Sequence, residues 1–289
     1  MYTIKWVSEK LGLAPATLRA WEQRYGVVHP SRSDVGYRLY DDADLDSLRT
    51  MSGLVAAGMQ PAQAAEEVRA GRGAHRHQGE EPTGAPAGLP APGALVEAAR
   101  SFDAVALEET LVAAFTTAGF EYVVDVWLMK AMREVGNAWA AGDLGVAEEH
   151  FISSGVMRRL AAAFDAAGNA RFAPHVVVGL APGSRHQIAA LAFATMLRRA
   201  GLRVTYLGAD LPVSSWADAV RTIRPDAAIV GTPRVEDNVA AAEVIAALLE
   251  VSPGTQVFLG GQGALPENAL QGDTLAQASQ WLARRLTGS

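Results

Sequence analysis

Residues 174–207 read PHVVVGLAPGSRHQIAALAFATMLRRAGLRVTYL. An apolar, β-branched run, His175–Leu180, breaks at a Pro-Gly turn. Apolar residues then recur at helical spacing over about Gln187–Ala200, and Arg203–Leu207 is β-branched again. The alternation continues to the C-terminus, with strands expected at Ala227–Val230 and Gln256–Leu259. Helices are expected at about Ser214–Thr222, Asn238–Glu250 and Leu275–Leu286. Continuous apolar strands between amphipathic helices predict a parallel sheet covered on both faces. Residues 171–289 therefore read as a Rossmann-like or flavodoxin-like domain, with its ligand at the carboxyl ends of the strands. The segment Gly183-Ser184-Arg185-His186-Gln187-Ile188-Ala189 falls at that edge. Histidine is the commonest transition-metal ligand, although a single loop histidine is more often only hydrogen-bonded.

Upstream, residues 94–170 are Ala-rich with apolar residues at helical spacing. Glycines at 119, 142 and 168 fall where helices would break, which predicts a bundle of about four helices. Trp139 would end one helix, and Glu149-His150 would lie early in the next, so the three could line one cavity across a helical hairpin. Residues 73–93 are dominated by Gly and Pro and predict a flexible linker, whose His75-Arg76-His77 cluster reads as solvated.

The first 72 residues have another pattern. Ile4–Leu11 is a short amphipathic stretch, Gly12 interrupts it, and Pro15 opens a second stretch in the first turn, where its missing N–H costs nothing. Two short helices joined by a Gly-containing turn form a helix-turn-helix. Leu18 and Trp21 would face inward, and Ala16, Thr17, Arg19, Gln23 and Arg24 outward. Gly36-Tyr37-Arg38-Leu39-Tyr40 would complete a two-stranded wing, with Tyr37 in the core. Residues 1–40 carry six Lys/Arg against three acids, in a chain of net charge −6. That local excess suits one DNA-facing end.

Composition narrows the classes. The chain has 289 residues, 49% of them hydrophobic and 19% charged. No cysteine is present, which excludes disulfides, thiolate zinc sites and thiol catalysis. No apolar run reaches the roughly 18–20 residues of a membrane span, and no signal peptide is evident, so a cytoplasmic protein without a membrane partner is expected.

The elements Thr17-Leu18-Arg19-Ala20-Trp21-Glu22, Pro30-Ser31-Arg32, Gly36-Tyr37-Arg38-Leu39-Tyr40, Asp44-Leu45 and Gly58 stand in an order that resembles the MerR family of winged helix-turn-helix regulators. The resemblance implies double-stranded operator DNA with pseudo-palindromic half-sites and a dimer or higher oligomer. By it, Thr17 and Arg19 approach bases or phosphates, and Arg24, Arg38 and Tyr40 hold the backbone. Pro61 and the linker leave no room for a long dimerisation helix, so self-association falls to the C-terminal part.

Head, bundle and α/β domain in this order resemble the CarH/LitR group of cobalamin-dependent repressors. That likeness implies adenosylcobalamin held between bundle and α/β domain. His186 would be the lower cobalt ligand. Trp139, Val146, Glu149 and His150 would enclose the upper adenosyl group, and Gly260-Gly261 would lie beside the nucleotide tail. It further implies a light-sensitive repressor that forms a homotetramer and occludes RNA polymerase at the promoter. The family's pattern is Asp-x-His-x-x-Gly. Here Ser184 replaces the carboxylate that orients the histidine, and Ala189 replaces the glycine. Gly231 or Thr232 stands where a serine is usual. Ala140 stands where the photoreceptors carry the histidine that captures cobalt after illumination. Two rival functions follow: a MerR-like regulator whose sensor takes another ligand or a protein partner, and a cobalamin-dependent enzyme subunit. The second lacks a substrate domain, so a non-enzyme is expected.

Overall fold

A computed structural model describes residues 2–11, 13–28, 30–32, 38–40, separate positions between 44 and 68, and then 86, 88–264 and 268–288. The chain divides into two compact units, 1–84 and 85–289. Gly12, Gly36, Tyr37 and the His75-Arg76-His77 cluster lie outside the described residues.

In the first unit, helix α1 (Ile4–Leu11) is followed by α2 (Pro15–Tyr25). Pro15 occupies the first turn of α2. Gly26 closes that helix in the left-handed region, with its N–H on the Glu22 carbonyl and the Val27 N–H on the Trp21 carbonyl. Leu18 and Trp21 are buried with Val7, Val27, Leu48 and Met51. The sheet is one strand larger than the sequence suggests. β1 (Tyr2–Thr3) and β2 (Ser31–Arg32) flank β3 (Arg38–Tyr40), all antiparallel. A two-residue strand has too short a period to be read from sequence.

The second unit begins with four bundle segments. They are α3 (Ala94–Arg100), α4 (Ala104–Thr117), a continuous stretch formed by α5 (Phe120–Tyr122), a π-helical segment (Val123–Leu128) and α6 (Met129–Ala141), and finally α7 (Val146–Ala166). Asp103 caps α4 by accepting the Val105 and Ala106 N–H groups. Leu95, Leu107, Leu111, Leu128, Ile152 and Leu160 fill the bundle core. The end of the expected linker is not free. Leu89 packs on that core, and the Pro90 carbonyl accepts the Trp127 Nε1–H at 2.8 Å.

The α/β part has strands β4 (His175–Leu180), β5 (Arg203–Gly208), β6 (Ala227–Gly231) and β7 (Gln256–Gly260), all parallel, in the order β5-β4-β6-β7. The helices are α8 (Ile188–Arg199), α9 (Val213–Ile223), α10 (Asn238–Val251) and α11 (Leu275–Thr287). Side chains alternate across the sheet as period two requires. Val176, Val178 and Ile229 pack with α8 and α11, and Val177, Ala228 and Val230 with α9 and α10. Helix α8 faces both ways, since Leu191, Ala192 and Met196 belong to the bundle core and Phe193, Ala194 and Leu197 to the sheet core. Its seven consecutive buried residues explain why this helix is apolar all round.

Three polar ties fix bundle to sheet. Arg198 stacks on Phe164, 3.4 Å from the ring centroid, and donates to the Phe164 and Val204 carbonyls. Arg199 pairs with both oxygens of Glu121. Asp125, in the π-helical segment, accepts the Leu275 and Ala276 N–H groups at 3.0 and 3.1 Å and so caps α11 from outside its own domain.

Candidate ligand site at the carboxyl edge of the sheet

Strands β4 and β6 are neighbours from which the connections leave toward opposite edges, and this switch point opens a crevice at their carboxyl ends. A cavity of about 530 Å³ descends there between the sheet and helices α8 and α11. Its wall is largely apolar: Val178, Leu180, Phe193, Ile229, Leu259, Leu270 and Ala278, with Ala189, Gly231, Gly260 and Gly261 at close backbone approach. Gly261 has φ +122°, and a Cβ there would lie 2.4 Å from the Thr232 carbonyl oxygen, so no other residue fits that turn. A second space of about 490 Å³ lies between α6 and the strand loops, bounded by Gly136, Asn137 and Arg234. Arg133, His186, Pro233 and Gln262 line both.

His186 is exposed, and among the described residues it has no hydrogen-bond or ion-pair partner. Its loop is well held. The Gly183 N–H donates to Asp210 Oδ1 at 2.7 Å, and the Asp210 N–H returns to the Ser184 carbonyl at 2.9 Å. Ser184 is buried, and its hydroxyl donates to Asp237 Oδ2 at 3.3 Å. Thr232 is fully buried and gives its N–H to the Gly260 carbonyl, so it braces the turn rather than lining either cavity. The described residues contain no cluster of three or more His, Cys, Asp or Glu able to hold a metal, and His186 is the one imidazole among the residues that line the two cavities.

The hairpin residues stand differently from expectation. Trp139 is 53% exposed at the end of α6, and Val146 is 62% exposed at the start of α7. Glu149 bonds His150 Nδ1 and Ser153 Oγ. The four predicted upper-face residues flank the connection from α6 to α7, Trp139 before it and Val146, Glu149 and His150 after it, yet none lines either cavity. Helical spacing gives the end of the bundle they occupy, but not whether a wall closes over them.

On α2, Arg19, Gln23 and Arg24 are exposed and Thr17 is half-buried, in the expected outward arc. Two wing residues need correction. Tyr40 is fully buried in the head core, and its hydroxyl lacks a partner among the described residues. Burial pushes the phenol pKa up. Its register opposite Tyr2 turns it inward, away from any phosphate. Arg38 pairs with Glu22 at 2.7 Å and ties the wing to α2, and this hydrogen bond raises its pKa.

Residues 2–70 match the MerR HTH family regulatory protein model, and residues 93–163 and 174–278 match two B12 binding domain models. The HTH-type transcriptional repressor CarH of Myxococcus xanthus is 31% identical over 93% of this chain and 91% of its own length. The chain belongs to the MerR-type regulators with B12-binding domains. The repressor CarA of the same organism is 28% identical over 90% of the chain and 86% of its own length. The monomethylamine corrinoid protein of Methanosarcina barkeri, 16% identical with a TM-score of 0.53, covers 67% of this chain and 95% of its own. It shares the fold of the second unit.

For this B12-domain regulator, DNA-binding transcriptional control follows from the head and its relatives. Sequence reasoning missed Asp125, Arg133, Asp210, Asp237 and Gln262. Asp210 and Asp237 did carry a signal, since each follows a predicted strand at the ligand edge. Arg133 and Asp125 carried none, because helical spacing does not report which face meets a neighbouring domain.

Proposed function

We propose that this regulator is a repressor that senses adenosylcobalamin, and that ligand binding controls how its DNA-binding heads are assembled. His186 carries the proposal, as an unpartnered imidazole on the wall common to an apolar slot and a space beneath the bundle. The residues present fit such a cofactor. The slot is apolar and glycine-walled, as an elongated aromatic tail would require, and the imidazole of His186 is a nitrogen donor that cobalt would accept. When bound, the cofactor would supply a cobalt centre for His186 to hold and a light-sensitive cobalt–carbon bond.

In this reading His186 offers one ring nitrogen to the metal. Ala189, Gly231, Gly260 and Gly261 let the backbone approach the tail, while Ser184 and Thr232 brace the loops behind them. Arg133, Asn137 and Gln262 donate hydrogen bonds to polar groups at the ligand's rim. Trp139, Val146, Glu149 and His150, which line neither cavity here, would close over the ligand from the end of the bundle on binding. Contacts made to both halves of the second unit favour one arrangement of it, which is the differential affinity a ligand switch needs. That arrangement would expose a surface for self-association into a dimer or tetramer. Thr17, Arg19 and Arg24 of several heads then hold one operator by effective concentration and exclude RNA polymerase from the promoter. The protein acts in the cytoplasm and catalyses no reaction.

Ser184 and Ala189 favour one other reading, a sensor that has exchanged cobalamin for another ligand or a protein partner. One experiment separates the two. The full chain is purified in darkness, given adenosylcobalamin, freed of excess and examined by visible spectroscopy and light scattering before and after green light. Retained corrinoid, weakened by His186→Ala, with a ligand-dependent change of mass supports the proposal. A light-dependent spectrum and mass show whether the response to light survives Ala140. Absence of retained corrinoid overturns the proposal in favour of the exchanged ligand.

A further inference from the structure

The loop that carries His186 is held by carboxylates from both neighbouring strand loops. Asp210 follows β5 and takes the Gly183 N–H. Asp237 closes the 3₁₀ turn Val235–Asp237 after β6, and takes the Ser184 hydroxyl at 3.3 Å and the Arg234 N–H at 2.9 Å on the same oxygen. Ser184 is 3% exposed, so its hydroxyl has little water to turn toward. A hydroxyl has one proton and two lone pairs. With its proton directed at the Asp237 carboxylate, Ser184 Oγ presents lone pairs to any other donor. The imidazole of His186, two residues along the chain and without a partner here, would be such a donor once one ring N–H is turned toward Ser184.

We propose that Asp237 is the positioning residue for His186, acting through Ser184. This rests on the cobalamin reading above and deepens it. Position 184 brings no charge of its own, but the carboxylate is present one strand over and one hydroxyl further out. An anchored acceptor at Ser184 fixes the tautomer and ring orientation of His186 and leaves its other nitrogen free for the metal. A carboxylate behind the acceptor raises the basicity of that nitrogen. The same contact ties the β4–α8 loop to the β6–α10 loop across the switch point, so the side chain is oriented from a rigid sheet edge.

The decisive experiment is a residue exchange in the full chain. The variants are D237N, D237A, S184D, D237S and the double exchange S184D/D237S. Each is titrated in darkness with adenosylcobalamin, and its apo form is melted. Each is also labelled with ¹⁵N-histidine, loaded with cob(II)alamin and examined by electron paramagnetic resonance. A ¹⁵N ligand splits the cobalt lines in two, whereas the cofactor's own ¹⁴N base splits them in three, so the pattern reports whether His186 is bound.

D237N and D237A are expected to weaken binding by about 10- to 100-fold, the usual effect of losing a partner of a metal-bound histidine, and to reduce the two-line signal. S184D places two carboxylates face to face, and D237S leaves none, so each single exchange should also lose affinity. The double exchange restores one carboxylate and one hydroxyl, and should return to within about threefold of the parent, a coupling that additive effects cannot give. Unchanged affinity and an intact two-line pattern in D237N overturn the proposal. So does a lower melting temperature in D237N with that pattern preserved, because Asp237 would then only brace the Arg234 turn. A parent chain that retains no cobalamin overturns the cobalamin reading and this proposal together, whereas a parent that retains it beside indifferent variants overturns this proposal alone.

Discussion

Asp125→Ala removes a side chain that caps a helix across the bundle–sheet boundary. Asp125 Oδ1 and Oδ2 accept the Leu275 and Ala276 N–H groups at 3.0 and 3.1 Å, while Thr274 accepts the Gln277 N–H at 3.2 Å. Three of the four N–H groups that the first turn of α11 leaves unpaired are thus satisfied, two of them by Asp125. Losing a capping side chain costs about 0.5–2 kcal/mol, and losing a negative charge at the positive end of the helix adds about 0.3–1 kcal/mol. Asp125 is half-buried, so water replaces it only partly, and about 2 kcal/mol is expected. For a unit of this size that lowers the melting temperature by roughly 4–8 °C. Asp125→Asn keeps one acceptor and loses the charge, so about half the effect is expected. The assay is thermal melting of both variants, with hydrogen exchange at Leu275 and Ala276. Those amides should exchange faster while the Val105 and Ala106 amides, capped by Asp103, stay protected. If Asp125→Ala melts like the parent and α11 stays protected, the cross-domain cap contributes nothing and the reasoning fails.

Tyr40→Phe should leave operator affinity unchanged and stability equal or slightly higher, because it deletes a buried hydroxyl that lacks a partner among the described residues. A large loss in operator binding at unchanged stability would return Tyr40 to the DNA surface. Arg19→Ala should weaken binding to all duplexes and, if Arg19 neutralises one phosphate, reduce the slope of log affinity against log salt by about 1. An unchanged slope with lost sequence preference would make it a base reader instead. Burial, reinforced by Arg203, lowers the pKa of His175 from its ordinary 6.5. The unfolded chain therefore binds the proton first, so this contribution is complete above about pH 6.5 and is lost as pH falls toward the folded value. Urea midpoints at about pH 7.5 and about pH 5.5 should show that loss in the parent, and less of it in His175→Gln.

The α/β part was legible almost to the residue, and the reason is physical. Strands buried on both faces must be continuously apolar and short, so His175–Leu180 and Ala227–Val230 stand out between helices without alternation to blur them. The helix ends were legible where backbone chemistry marks them, at Pro15 and Gly142. The π-helical segment was not, since Val123–Leu128 reads as ordinary helix. Its extra residue becomes meaningful only beside α11, where it places Asp125. Tyr40 was misassigned because an aromatic in a wing pattern can face either way. The third strand that decides the matter is only two residues long.

His186 shows how far a motif alone carries. Its place at the ligand edge follows from the apolar strand directly before it, whereas the strand order that makes this edge a switch point is given by the structure. What holds it does not follow, because the groups that hold its loop come from residues 210 and 237, each on a different βα connection. A serine at 184 viewed along the chain is a lost carboxylate. Viewed across the sheet it is a link to one, and the two views differ in a measurable way. If the local motif is all that matters, S184D should improve cobalamin binding by restoring the usual residue. If the loops act together, S184D should impair it, because the new carboxylate faces Asp237, and only the companion change at 237 should relieve the conflict.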